Sequence, residues 1–161
     1  MKILILGAGK MGSFFTDLLS FDHEVAVLEK DPKRMRFIYN ALRLQSPEEV
    51  KDFNPELVIN CVTLSYTIEA FKAVMPYLQP YCIISDIASV KTYLKEFYET
   101  CGFPYVSTHP MFGPTFANLG QLEKGEYDYY LRGRSSGQDL LQGYLFQPPL
   151  AYLRIHVRGA R

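Results

Sequence analysis

Apolar positions fall along this chain in two rhythms. Short apolar runs at residues 3–6, 24–28, 57–62, 82–85 and 105–108 have the length and β-branched content of strands buried on both faces. Between them, apolar residues recur at helical spacing over residues 11–19, 32–39, 67–78 and 90–101. Regular alternation of strand and helix predicts an α/β fold in which a mostly parallel, doubly wound sheet carries helices on both faces.

The pattern stops near residue 124. The first 124 residues hold nine Lys and three Arg, whereas residues 125–161 hold no Lys and five Arg. No Glu follows Glu126, and residues 140–153 show neither period apart from the Pro148-Pro149 interruption. The expected organisation is therefore a domain over residues 1–124 and an anomalous tail over 125–161. A change of reading frame near Lys124 to Glu126 is the expected cause of the break. Read one base later, with permitted codons, residues 137–160 become an amphipathic helix and an alternating strand ending in Glu-Glu-His, and residues 127–131 become a buried-strand pattern. The coding DNA tests this, since stop codons in the shifted frame ahead of that strand would defeat it.

At 161 residues the chain has the size of one ordinary domain and can bury about two-thirds of its unfolded surface. Lys plus Arg equals Asp plus Glu at 17 each, so no net field draws the chain to nucleic acid or to a membrane surface. No apolar run reaches the ~20 residues that span a bilayer, and the chain opens on strand-like residues in place of a cleavable apolar leader. Cys61, Cys82 and Cys101 form no CxxC pair, and two of them sit inside apolar runs where a thiol behaves as a small hydrophobe, so structural thiols are expected. A small-molecule partner and a cytoplasmic location are expected, with no metal site.

The chemistry concentrates where predicted strands end. Gly7-Ala8-Gly9-Lys10-Met11-Gly12 lies between the first strand and first helix, the context of a Rossmann dinucleotide loop. Gly7 permits the turn, Gly9 lets backbone approach a pyrophosphate and Gly12 allows close helix packing, while Lys10 and Met11 open the helix whose N-terminus attracts the anion. Without a ligand, the same loop is simply a tight β-to-α turn. Glu29 ends the second strand, where a carboxylate accepts bonds from the adenosine ribose and favours NAD over NADP. Lys30, Lys33 and Arg34 could neutralise a 2′-phosphate, so NADP stays open; as bland residues they are a solvated helix start. After the next strand, Thr63 or Ser65 could touch a ribose or phosphate, and Ser65 or Thr67 could cap a helix, Thr67 being the better cap.

Two further loops follow strands on the same edge. In Asp86-Ile87-Ala88-Ser89-Val90-Lys91, Ser89 is placed to cap the next helix or to bond substrate or an imidazole, and Lys91 reads as solvent-facing. His109-Pro110-Met111-Phe112-Gly113-Pro114 sets one imidazole in a loop stiffened by two prolines, where it could take a proton as a hydride leaves a substrate. His23 and His156 have no such setting.

Taken in this order and spacing, the glycine loop, the Asp86–Lys91 stretch and the loop from His109 to Pro114 resemble the prephenate dehydrogenase family of tyrosine biosynthesis, over residues 2 to about 124. The resemblance implies oxidative decarboxylation of prephenate to 4-hydroxyphenylpyruvate with NAD or NADP. It matches His109 to the histidine that draws the proton from the ring hydroxyl, and Ser89 to the serine that orients substrate and histidine. The family also has a helical C-terminal domain that supplies cationic contacts to prephenate and most of a homodimer interface, and this chain is expected to lack it. Dinucleotide binding with little or no turnover follows as the expectation. The competing readings are a non-catalytic dinucleotide module, another small-molecule reductase with the same glycine loop, and an aggregation-prone product with an open sheet edge.

Overall fold

The computed structural model describes residues 1–110 and two short strands further on, 129–130 and 155–156. Six parallel strands form one sheet: β1 (Lys2–Leu6), β2 (Glu24–Leu28), β3 (Leu42–Leu44), β4 (Leu57–Asn60), β5 (Ile83–Asp86) and β6 (Tyr105–Ser107). Their order is β3-β2-β1-β4-β5-β6. The chain winds outward from β1 to β3, then crosses back to β4, so the winding reverses between β1 and β4. That reversal opens a crevice at the carboxyl ends of the strands, where ligands of such sheets bind. A separate parallel pair joins β7 (Tyr129–Tyr130) to β8 (Ile155–His156). The expected break at residue 125, the shifted-frame reading and the stretch from Met111 to Pro114 otherwise lie outside the described residues.

Burial explains why the strands read as continuous apolar runs. Ile3, Ile5, Val25, Val27, Leu57, Ile59, Ile83 and Val106 pack on one face with Phe15 and Leu19 of α1 (Lys10–Leu19) and with Met35 of α2 (Pro32–Met35). Leu4, Leu6, Ala26, Val58 and Ile84 pack on the other with α3 (Val50–Phe53), α4 (Thr67–Val74) and α5 (Leu94–Thr100). Because successive side chains alternate faces, a strand covered on both sides can place almost no polar group. Ser85, Asp86 and Ser107 break this rule, and all three are buried at the carboxyl edge.

Several boundaries differ from the periodicity. Residues 32–39 were expected as one helix, but α2 stops at Met35 and tapers through Phe37 N–H to Arg34 and Ile38 N–H to Met35 bonds, which turn Ile38 into the core. Helical pattern over 67–78 ends at Val74, and Pro76, with no N–H, sits inside a 3-10 turn at Met75–Tyr77. The helix expected from Val90 begins only at Leu94, so Ser89 does not cap it; Tyr93 holds that position without a side-chain bond. The three-residue edge strand β3 and the short α3 had no expected counterpart.

Candidate functional site

Gly7 and Gly12 are required by the fold itself, whereas Gly9 is not. Gly7 has φ +93°, donates its N–H to Leu28 O at 2.9 Å, and would bring a Cβ to 3.0 Å from Val62 Cγ1. A Cβ on Gly12 would lie 1.8 Å from Gly7 O, inside any permitted contact. At Gly9 a Cβ would meet only Arg34 Nη1 at 3.9 Å, so the space there is open. Gly9 caps α1 with no side-chain bond, which leaves the first-turn N–H groups of Lys10, Met11 and Gly12 without intrahelical acceptors. Open space beside aligned donors at the positive end of a ten-residue helix fits a pyrophosphate. The Lys10 side chain is exposed and Met11 packs back against the first-face core.

Glu29 is tied into the same loop. Its Oε2 accepts from Ala8 N–H at 2.8 Å and its Oε1 from Asp31 N–H at 3.0 Å, fixing the carboxylate over the turn with lone pairs left for a ribose. Asp31 in turn caps α2 through Lys33 N–H at 2.9 Å. Two of the three cations that left NADP open have carboxylate partners: Lys30 Nζ lies 2.5 Å from Glu69 Oε1, and Arg34 Nε 3.7 Å from Asp31 Oδ2. Beside Glu29, a cavity of about 300 Å³ is lined by Lys30, Met35, Arg36, Arg43 and Gln45.

After β4, Thr63 and Ser65 are exposed, Thr63 at the head of a 3-10 turn over Leu64–Tyr66 with no side-chain capping bond and Ser65 within that turn. Thr67 is not a cap either. It is buried as the first residue of α4, and its carbonyl accepts from Asn60 Nδ2 at 2.9 Å while Asn60 Oδ1 takes Val62 N–H at 3.2 Å. Asn60, an amide at a buried strand end, thus shapes this loop.

The ends of β5 and β6 hold the densest polar network. Asp86 is fully buried; its Oδ1 accepts from Ala88 N–H at 2.8 Å and from Lys91 Nζ, and its Oδ2 from Tyr98 OH and Ser107 Oγ, both at 2.6 Å. Lys91, expected in solvent, is drawn inward and also donates to Thr108 O at 2.7 Å. Burial holds its pKa below the usual lysine value against the pull of Asp86, and burial pushes the Tyr98 phenol up. Ser89 is exposed on the intervening loop, and His109 is half-buried directly after Thr108. Spacing alone missed Asp86 and Lys91; the available signal was a carboxylate ending an otherwise apolar strand.

The glycine loop, Glu29, Thr63, Ser65, Ser89 and His109 therefore all follow strands at one edge of one sheet. Among the described residues no group of metal-ligating side chains converges, and no helix is long and apolar enough to cross a membrane.

Residues 19–128 match the family described as Prephenate dehydrogenase, nucleotide-binding domain. The chain belongs to this family. The match takes in Glu29, Asp86, Ser89, Lys91 and His109, while the glycine loop precedes it. Among solved structures, arogenate dehydrogenase from Synechocystis superposes with a TM-score of 0.73 at 20% identity, over 98% of this chain and 59% of its own. Prephenate dehydrogenase from A. aeolicus, in complex with hydroxyphenyl propionate and NAD+, gives 0.74 at 19% identity with the same coverages. An imine reductase from Streptomyces aurantiacus gives 0.76 at 15% identity, over 99% of this chain and 56% of its own. The fold is thus that of the dehydrogenase nucleotide-binding domain, and this chain spans about three-fifths of the length of those enzymes. No curated protein sequence matches the chain.

Proposed function

We propose that this chain is the NAD-binding half of a prephenate-type dehydrogenase acting in tyrosine biosynthesis in the cytoplasm. The observation that carries the proposal is that the open glycine loop after β1 and the His109 loop after β6 share the carboxyl edge of one parallel sheet in a chain of this family. NAD is preferred to NADP because the Glu29 carboxylate is anchored beside the loop, while Lys30 and Arg34 already face carboxylates. The dinucleotide supplies the hydride acceptor. Gly9 and the first turn of α1 bind its pyrophosphate, Glu29 takes the ribose hydroxyls, and Thr63 and Ser65 line the crevice from β4. His109 draws the proton from the substrate ring hydroxyl as hydride departs, with Ser89 orienting ring and imidazole. Loss of carbon dioxide aromatises the ring and makes the step downhill, so alignment is the main demand on the protein.

In the family picture the cationic contacts to the substrate carboxylates and the homodimer interface come from a further helical domain. Purified 161-residue chain is therefore expected to bind NAD+ in calorimetric titration, more tightly than NADP+, and to form little or no NADH from prephenate. Absence of dinucleotide binding, or robust turnover, would overturn this reading. The superposition on an imine reductase favours a second reading, a reductase of another small molecule, which substitution of His109 by Asn would leave active on an imine.

A further inference from the structure

We propose that Asp86 and Lys91 form a buried clasp that positions His109 by fixing the peptide plane on its N-terminal side. The β5–β6 ladder does not need them for pairing, since Ile84 with Tyr105, Ser85 with Val106 and Asp86 with Ser107 are already in parallel register. What the clasp adds lies beyond Ser107. Thr108 donates its N–H to Asp86 O at 3.0 Å and its Oγ1 to the same oxygen at 2.9 Å, so its backbone is held on one side by β5. Its carbonyl accepts from Lys91 Nζ at 2.7 Å. That carbonyl belongs to the planar unit containing the His109 nitrogen, so the lysine bond sets the plane from which the His109 side chain departs. Pro110 restricts His109 from the other side, disfavouring the helical region for the residue before it. Held at both ends, the histidine keeps little freedom beyond its own side-chain torsions.

Lys91 can do this because Asp86 waits for it. An ammonium drawn this far into the protein needs a counter-charge, and a fully buried carboxylate needs its lone pairs filled. Asp86 meets both demands, with Tyr98 OH and Ser107 Oγ on the oxygen that Lys91 does not use. Tyr98 is packed against Tyr105, the first residue of β6, with ring centroids 4.4 Å apart, so the carboxylate is braced from α5 and β6 at once. Asp86 and Lys91 are thus positioning residues. Neither is assigned contact with substrate or dinucleotide.

The inference rests on the reading of His109 as the proton acceptor, and its test separates the two. In the 161-residue chain, the His109 ring signal in proton–carbon correlation spectra is assigned by its loss in His109→Asn. Lys91→Met is expected to shift or split that signal and to speed acylation of His109 by diethyl pyrocarbonate several-fold. Its NAD+ affinity should stay within about twofold, because β4 lies between β5 and the strand that carries the glycine loop. Lys91→Arg, which keeps a donor for Thr108 O, should restore a single signal and the slow rate. If Lys91→Met fails to fold, the double variant Asp86→Asn with Lys91→Met leaves no unpaired buried charge and still lacks the bond to Thr108, so the same changes are expected. An unchanged ring signal and acylation rate in a folded variant without Lys91 would overturn the clasp. Clasp effects in the Lys91 variants of a parent chain that binds no NAD+ would overturn the functional reading alone.

Discussion

Three glycines within six residues obey two different constraints, and substitution separates them. Gly12→Ala forces a methyl to within 1.8 Å of Gly7 O and 2.9 Å of Gly7 C, and that carbonyl is backbone with nothing soft to yield. A loss of about 1–3 kcal/mol or more is expected in urea unfolding, as for an overpacked core. Gly9→Ala meets only the far end of Arg34, and its φ of −73° and ψ of −173° suit any residue. Stability should hold or rise by up to about 1 kcal/mol. NAD+ affinity should fall by about tenfold or more, since each 1.4 kcal/mol of lost contact is a factor of ten and the methyl enters the open space proposed for the pyrophosphate. A Gly9→Ala chain that binds like the parent would remove the pyrophosphate from this loop. The contrast also shows why this half of the site was legible: a turn, a close approach and a helix start are local, so residue type and spacing encode them. Lys91 was not legible. Its partners are Asp86 and, 17 positions away, the carbonyl of Thr108, and a backbone acceptor has no signature in sequence.

Elements were readable in proportion to how much they bury. Strand β2 begins and ends where the predicted run does, and the other long strands miss by a residue or two, because nearly every position of a strand covered on both faces is apolar. Edge strand β3 buries only Leu44 of its three residues, so no run marks it. One helix start differs: α1, α2 and α4 begin within a residue of the periodicity, whereas α5 begins only at Leu94, after Lys91 has bonded Asp86 and a turn has closed through Leu94 N–H to Lys91 O at 3.0 Å. Packing between helices, in contrast, follows directly from the pattern. Phe71 of α4 is fully buried, stacked on Phe97 of α5 at 5.6 Å between centroids and edge-on to Tyr98 at 6.1 Å. Phe71→Ala should cost about 3–5 kcal/mol, because a cavity opens between two helices that cannot both close it. It should also loosen Tyr98, the brace of Asp86, so His109 acylation should quicken in parallel. Loss of stability with His109 unaltered would uncouple this helix pair from the site.

At the scale of the whole molecule the chain carries no net charge at pH 7, so general repulsion is small there and the early alkaline response is led by a few buried groups. Burial pushes the Cys82 thiol up to about 12 from its ordinary 9.0, aided by the Glu56 charge, and burial alone pushes Cys61 up further. Tyr98 is raised as well, first by burial and then by the Asp86 charge. In each case the folded state keeps a proton that the unfolded chain releases. Stability from these groups is therefore whole below the unfolded thiol value and falls as pH rises above it, by about 1.4 kcal/mol per pH unit for each buried thiol while its unfolded form is ionised. Tyr98 joins above its ordinary 10.0. Lys91 works in the opposite sense, since burial holds its folded pKa down and the unfolded chain then binds the extra proton. One lysine against two thiols and a phenol leaves a net loss on the alkaline side. Urea unfolding under reducing conditions from about pH 8 to about pH 11 should show this decline. Cys82→Ala removes one of the protons and should flatten the slope by about 1.4 kcal/mol per pH unit between its ordinary 9.0 and about 12, at some cost in packing that does not vary with pH. A slope identical in parent and Cys82→Ala would mean that the thiol is not sealed within the core beneath α4 and α5, and that β5 is open to water at its amino end.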